Sequence, residues 1–483
     1  MAFDSEMEAV TAHLTRTKDP VIIAVGQKQQ RSDINSNTPL TRVYTRRWLV
    51  LFIFILFTSS NISQWVQYSI ISNIIERYYN VSTIAVDWTS LLFMLAYIPL
   101  VFPISYMMDR IGLRWTIIVG CLLTALGSWI KVFSIPRDRF YVTFIGQSLV
   151  ASTQVIVLNV PGRLAANWFG SSQVSTATSM GLFGFQLGIA GSFLLTPIVV
   201  RNHDDLDDIG DDLSRLFWFF AVYSTVALIT AIVFLRDEPP LPPSETRRLQ
   251  KLNISENSDG FLPLMKRLLS NRSYLALCHS FGINIGVLNS IATLLNQMYL
   301  IHFEHGEKEA GQIGLAIVIM GLISSPIFGY ILDKTHKFKL TISAVYALSL
   351  LGQILFAVSL VMEIKWMVYV SATFLGFFIT SYFAVGYEVC AEYTYPEPEG
   401  VATAFLNVTN QIYGIAIVLI FGKVIDIFGD LWAHLVIGLF LFMGLITTLC
   451  TKDLQKRQNA RQRAHYKEVP MSNTSFQDEK QII

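Results

Sequence analysis

The chain has 483 residues, of which 52% are apolar, 13% aromatic and only 15% charged, and its formal net charge is +1. So even a balance leaves no basic footprint of the kind nucleic acid attracts, and no nucleic-acid partner is expected. Two classes remain, a large soluble enzyme and a polytopic membrane protein, and uninterrupted apolar runs decide between them.

A membrane-crossing helix needs about 20 mainly apolar residues. The first 45 residues hold no such run: MAFDSEMEAV is acidic, and VIIAVG at 21–26 is too short for the apolar core of a signal peptide, so no cleavable leader is expected. Twelve apolar runs then follow, at 48–71, 87–108, 113–134, 141–162, 174–199, 216–235, 274–301, 311–332, 340–362, 366–390, 401–424 and 432–450. They predict an all-α membrane protein with twelve transmembrane helices. Its parts are a tail (1–45), a six-helix half (46–236), a linker (237–272), a second six-helix half (273–451) and a tail (452–483). The lipid bilayer is the first partner expected.

Lys and Arg collect in alternate connections. Arg42, Arg46 and Arg47 precede span 1, Arg110 and Arg114 follow span 2, seven basic residues lie between Arg236 and Arg272, Lys334, Lys337 and Lys339 follow span 8, and Lys452, Lys456 and Arg457 follow span 12. The positive-inside rule then puts both tails in the cytoplasm. Asn80-Val-Ser82 falls in the first outside loop, where Asn80 is a glycan acceptor. Cys121, Cys278, Cys390 and Cys450 are scattered within spans without metal-type spacing, so neither a disulfide, a metal site nor a cofactor is expected.

Two phrases recur at one offset. SYMMDRIGLR after span 2 carries Asp109, Arg110 and Arg114, and GYILDKTHKFK after span 8 carries Asp333, Lys334 and Lys337, a shift of 224 residues from Asp109 to Asp333. FQLGIAG in span 5 and NQIYGIA in span 11 place Gln186 and Gln411 before Gly-Ile-Ala, a shift of 225. Parallel six-span repeats with such Asp-Arg/Lys turns resemble the major facilitator superfamily, whose halves rock around a site near the membrane midplane. The first turn departs from the superfamily motif at Ser105 and Leu113, whereas the second keeps the glycine, Gly329. In that reading Asp109 pairs with cations on neighbouring helix ends when the cytoplasmic side is closed.

Polar groups are costly in hydrocarbon and mark a path or an interior contact. In span 1, Asn61, Gln64, Trp65, Tyr68 and Ser72 follow the i, i+3, i+4, i+7, i+11 spacing of one helical face. Span 4 offers Gln147 and Gln154 with a kink expected at Pro161, span 7 offers Asn289, Thr293 and Asn296, and span 11 offers Asn407, Asn410 and Gln411. Together these stripes predict a central cavity of amides and aromatic rings. Glu388 and Glu392, one turn apart at the inner end of span 10, read as a gate bonded to Arg163 or a similar cation. No phosphate-cradling loop and no catalytic Ser/His/Asp cluster appears, so neither ATP drive nor an enzyme is expected. Facilitated diffusion is the simplest mechanism.

QWVQYSIISN (64–73), DWTSLLFMLAYIPLVFP (87–103), ANWFG (166–170), ATLLNQM (292–298) and EVCAEYTYPEPEG (388–400) resemble the feline leukaemia virus subgroup C receptor-related family. The resemblance implies a monomeric plasma-membrane transporter of choline or ethanolamine, with a mitochondrial or endoplasmic reticulum pool as a further address. Haem export is an alternative that the family suggests, and a surface receptor without transport is another. By resemblance Trp65 is the cage tryptophan, Gln154 the span 4 polar contact and Gln411 the span 11 glutamine. Where relatives carry a Tyr in span 7 this chain has Asn289, which the 224 shift pairs with Trp65. An amide there favours a primary amine that can donate to it over a quaternary one.

Overall fold

Inside hydrocarbon a backbone must satisfy its own hydrogen bonds, so an apolar run of this length has to become a helix. The computed structural model describes residues 41–170, 173–244, 261–452 and 455–458, and among them every regular element is helical. Eleven helices are long and apolar enough to cross a membrane. One of them, Thr83–Val132, has 50 residues, about 75 Å at 1.5 Å per residue, which is more than twice the hydrocarbon thickness. It breaks at Gly112, whose φ of 82° and ψ of 174° are not helical, and so supplies both span 2 and span 3. Twelve crossings result. The others are span 1 (Arg46–Tyr79), span 4 (Phe140–Trp168), span 5 (Val174–Val199), span 6 (Leu206–Phe234), span 7 (Arg272–His302), span 8 (Glu307–Thr335), span 9 (Phe338–Val361), span 10 (Lys365–Thr394), span 11 (Glu399–Phe428) and span 12 (Asp430–Cys450). Spans 1 and 12 put both chain ends on one side, here the tail end; the other is the far end.

Three details differ from the sequence-based expectation. Span 6 begins ten residues before the apolar run, because the Asp205 carboxylate accepts the Asp207 N–H at 2.9 Å and the acidic residues beyond it favour a helix N-terminus. Span 4 is interrupted at Ser152–Thr153 rather than at Pro161, which lies inside the helical piece Gln154–Trp168. The Val150 carbonyl there accepts from Asn61 Nδ2 at 3.0 Å and Thr153 Oγ1 at 2.8 Å, which draws it out of the helical ladder. The linker, finally, contains a helix of its own, Phe261–Ser270; residues 245–260 of it, like most of both tails, lie outside the described residues.

At the tail end the Asp109 turn clamps its own half. Asp109 forms an ion pair with Arg163 of span 4. The Arg114 N–H donates to Asp237 Oδ1 at 3.0 Å, and its guanidinium donates to the Ile232 carbonyl at 3.3 Å, so spans 2, 3, 4 and 6 are tied at one corner. Arg110 lies over the Tyr106 ring and donates to its hydroxyl. Arg163 is thus engaged by Asp109, and the expected Arg163 bridge to the span 10 glutamates gives way to a local one. The chain beyond span 12 turns back, Arg457 Nη1 lies 3.7 Å from Glu388 and 3.5 Å from Glu399, and the N–H groups of Arg457 and Gln458 donate to Glu392 Oε2. Lys334 rests on the Tyr330 ring on span 8; Asp333 lies on the same helix with its side chain outside the described residues.

The repeat is visible in the backbone. The left-handed corner at Gly112 recurs 224 residues on at His336 (φ 52°), and the one that ends span 1 at Asn80 (φ 52°) recurs at His305 (φ 58°). Gly112 has a double constraint: its φ/ψ region is almost exclusive to glycine, and a Cβ there would stand 2.5 Å from Asp237 Oδ2. Gly112→Ala is expected to cost about 1–3 kcal/mol in backbone strain and to push Asp237 off the corner. Thermal unfolding of the purified protein in detergent checks this; an Ala variant as stable as the wild type would refute it.

Candidate functional site

The two halves meet at the far end through a row of hydrogen bonds. Ser72 Oγ donates to Asn296 Oδ1 at 3.1 Å, and these residues are themselves 224 apart. Two residues related by a two-fold axis can touch only close to that axis, so this contact marks where spans 1 and 7 cross it. Asn296 Nδ2 also donates to the Ile70 carbonyl at 2.7 Å. Gln297 Nε2 donates to the buried carboxylate of Asp87 at 2.8 Å, and Glu307 accepts from Asn73 at 2.8 Å and Asn202 at 2.9 Å. Gly314 of span 8 packs on the Phe193 ring of span 5. The ion pairs described at the tail end, by contrast, each lie within one half.

Span 1 is not one continuous helix at this level. It stops at Val66, makes a single tight turn at Ser69–Ile71 and restarts at Ser72. Its predicted polar face therefore divides. Asn61 and Gln64 turn into the first half: Asn61 Nδ2 donates to Thr124 Oγ1 at 3.1 Å and Thr153 Oγ1 at 2.7 Å, while Gln64 donates to the Ser60 carbonyl and accepts from Ser128 at 3.1 Å. Gln147 of span 4 joins them, donating to the carbonyls of Gln64 at 2.6 Å and Thr89 at 3.2 Å. Its oxygen accepts from Lys131 Nζ at 2.9 Å, and that ammonium also sits 5.7 Å from the centre of the Tyr68 ring. Tyr68 rests on Phe217, which completes a buried polar core between spans 1, 3, 4 and 6.

Trp65 takes another direction. Its indole packs against Phe185 of span 5 at 6.4 Å, its carbonyl accepts from Ser90 of span 2 at 2.8 Å, and its Nε1 is buried without a protein partner. Trp65 and Asn289 each lie seven residues, two helical turns, to the tail side of the Ser72–Asn296 contact. Asn289 Nδ2 points to Asn410 Oδ1 at 3.4 Å and borders Gly414 of span 11, as does Met94 of span 2. The Oε1 atoms of Gln154 and Gln411 are buried with no protein partner. Asn289, Asn410, Gly414 and Met94 are thus brought together, whereas Asn61, Gln64 and Tyr68 belong to the core behind them.

Such an arrangement offers an indole ring and unengaged amide oxygens at mid-depth, which suits a small cation with hydroxyl or amine donors. A buried polar atom without a partner is costly, so these atoms favour a ligand that can satisfy them. Lys131, Asp87 and Glu307 carry much of the polar structure yet lay outside the sequence-based site. Lys131 had a signal, a lone cation at the end of an apolar run; Asp87 and Glu307 read only as span borders.

Comparisons with known proteins agree on one fold. The Major Facilitator Superfamily pattern matches residues 52–418. The choline/ethanolamine transporter flvcr2b of Danio rerio is 40% identical over 427 residues, covering 88% of this chain and 88% of that one. The choline/ethanolamine transporter FLVCR2 of Homo sapiens is 36% identical over 419 residues, covering 87% of this chain and 80% of that one. The crystal structure of a D-xylose–proton symporter superposes with a TM-score of 0.63 at 11% identity, over 85% of this chain and 98% of the other, a likeness of fold alone.

The core around Lys131 makes an asymmetric prediction. Gln147→Leu strips the buried ammonium of its hydrogen-bond acceptor and is expected to cost about 3 kcal/mol, whereas adding Lys131→Met removes the uncompensated charge and restores most of the loss. Thermal unfolding of the single and double variants measures this. A double variant no more stable than Gln147→Leu alone would refute the pairing.

Proposed function

The chain belongs to the major facilitator superfamily and, within it, to the feline leukaemia virus subgroup C receptor-related family of transporters, and from that premise we propose that it carries choline or ethanolamine down its gradient by alternating access. The observation that carries the proposal is Trp65, a buried indole two turns inside the contact that closes the far end. A quaternary ammonium has no hydrogen-bond donor and is best held on an aromatic face, at about 0.5–2 kcal/mol per contact. The hydroxyl common to choline and ethanolamine donates to an amide oxygen such as that of Gln154 or Gln411. Ethanolamine's ammonium carries three N–H donors besides, and the Asn289 amide can accept one.

In this reading Asn61, Gln64 and Tyr68 act as scaffold that fixes Trp65, and substrate meets Trp65, Gln154, Asn289 and Gln411. The cycle opens the far end by releasing Ser72–Asn296, Asp87–Gln297 and the two bonds to Glu307, while the Asp109 and Asp333 turns close on the opposite half. Glu388 and Glu392 anchor the returning tail segment, which keeps the inner ends of spans 10 and 11 moving as one. The protein acts as a monomer in the plasma membrane, with the tail end in the cytoplasm and Asn80, exposed on its turn, accepting a glycan outside. Haem, a large dianion, would need cationic or axial partners along the path. The two histidines that could serve it have other settings: His302 is 2.8 Å from Asp430, and His305 occupies a left-handed corner. Those settings favour the amine, and the polar midplane favours transport over a receptor role.

Uptake of labelled choline, ethanolamine and haem by cells expressing each variant tests the proposal. Trp65→Ala is expected to lower kcat/KM for choline about tenfold, with a smaller loss for Trp65→Phe. Asn289→Tyr, which restores a second ring, is expected to raise choline relative to ethanolamine. Flux should follow the substrate gradient alone and ignore replacement of sodium. Wild-type cells that take up neither amine, or a Trp65→Ala protein with unchanged uptake, would overturn the reading.

A further inference from the structure

A cleft of 1010 Å³ opens at the tail end of the second half, between the linker helix, the start of span 7 and the ends of spans 10 and 12. It lies apart from the mid-depth residues described above. Five cations line it, Lys266, Arg267, Arg272, Lys452 and Lys456, against one carboxylate, Glu397. That carboxylate is already neutralised, since Arg267 grips it through two hydrogen bonds of 2.7 and 3.0 Å. Lys456 reaches only the Tyr393 carbonyl, at 3.3 Å. The first turn of span 7, with its unpaired backbone N–H groups, faces the same space through Arg272 and Ser273 and adds the positive end of a 31-residue helix.

The surroundings say what kind of anion fits. Leu269, Leu275, Ile446 and Leu449, each next in sequence to a residue of the lining, are exposed apolar side chains on the helices that end there. The linker helix turns Leu264 and Leu268 inward and Lys266 outward, as a helix lying along a membrane surface does. Positive charge beside lipid-facing leucines matches an amphiphile with an anionic head and apolar tails, while a soluble anion would use only the first feature. We infer that this cleft binds the phosphate-bearing headgroup of an anionic phospholipid, its tails lying against the leucines of spans 7 and 12.

Bound there, the headgroup neutralises five crowded cations and ties the linker helix to the segment after span 12, both of which hang from the second half. That segment also holds Glu392 through the N–H groups of Arg457 and Gln458. The lipid therefore stiffens one half without bridging to the other.

The full chain in nanodiscs tests the site with a fluorescent bisphosphorylated phosphoinositide as probe. Binding is expected in a phosphatidylcholine background, and unlabelled anionic lipid should compete far better than inositol trisphosphate or inorganic phosphate. The triple substitution Lys266→Gln, Arg272→Gln and Lys452→Gln is expected to weaken binding on the order of 100-fold, while amine uptake by the same variant reports that it has folded. Lys266→Arg with Lys452→Arg, which keeps the charge, should bind as the wild type does. Equal binding by the triple variant, or equal competition by inorganic phosphate, would overturn the assignment.

Discussion

The hydrogen bond between Ser72 and Asn296 joins two residues that are copies of one position in the repeat. A contact of that kind can form only on the axis relating the two halves, so it fixes how they meet and leaves them free to turn about it. Four further bonds stand beside it at the far end, through Ile70, Asp87, Asn73 and Asn202. Hydrogen bonds between helices within a membrane average about 0.6 kcal/mol, so the row together amounts to about 3 kcal/mol. An energy of that size holds one state in the majority and still lets ligand binding reverse it.

A moving half must itself be stiff, and the first half achieves this with polar groups in its own interior. Gln147 is the centre, because one side chain donates to two carbonyls and accepts from Lys131. Span 1 and span 5 are pressed together beside it, with Gly188 so close that a Cβ would stand 2.9 Å from the Ser59 carbonyl. Both contacts immobilise the stretch of span 1 that carries Trp65. A ring that must present its face to a cation gains from a backbone that does not shift.

The second half repeats the fold without repeating this core. At the positions 224 residues beyond Gln64, Lys131 and Gln147 stand Leu288, Leu355 and Ser371. The corners at Gly112 and His336 match in backbone, yet only the first is tied down by a carboxylate from span 6. Duplication preserved what a membrane demands of the chain, namely helix lengths and turns, and released the interior side chains for separate uses. The contrast of Trp65 with Asn289 belongs to the same divergence.

Most of the architecture follows from the sequence alone. Backbone groups in lipid have no partner but each other, so each apolar run forces a helix, and the 224-residue echo of the Asp109 turn exposes the duplication. Helical spacing also gathered Asn61, Gln64, Trp65, Tyr68 and Ser72 on one face. What spacing cannot give is the neighbour each residue meets. A helical face is wide enough to touch two or three helices, and span 1 breaks at Val66, so adjacent members of one stripe part company. Tertiary packing alone sent Gln64 to Ser128, Trp65 to Phe185 and Ser72 to Asn296, and it gave Arg163 to Asp109 and Glu392 to the chain beyond span 12. Those partners lie up to 224 residues away, where no local pattern in the sequence reaches.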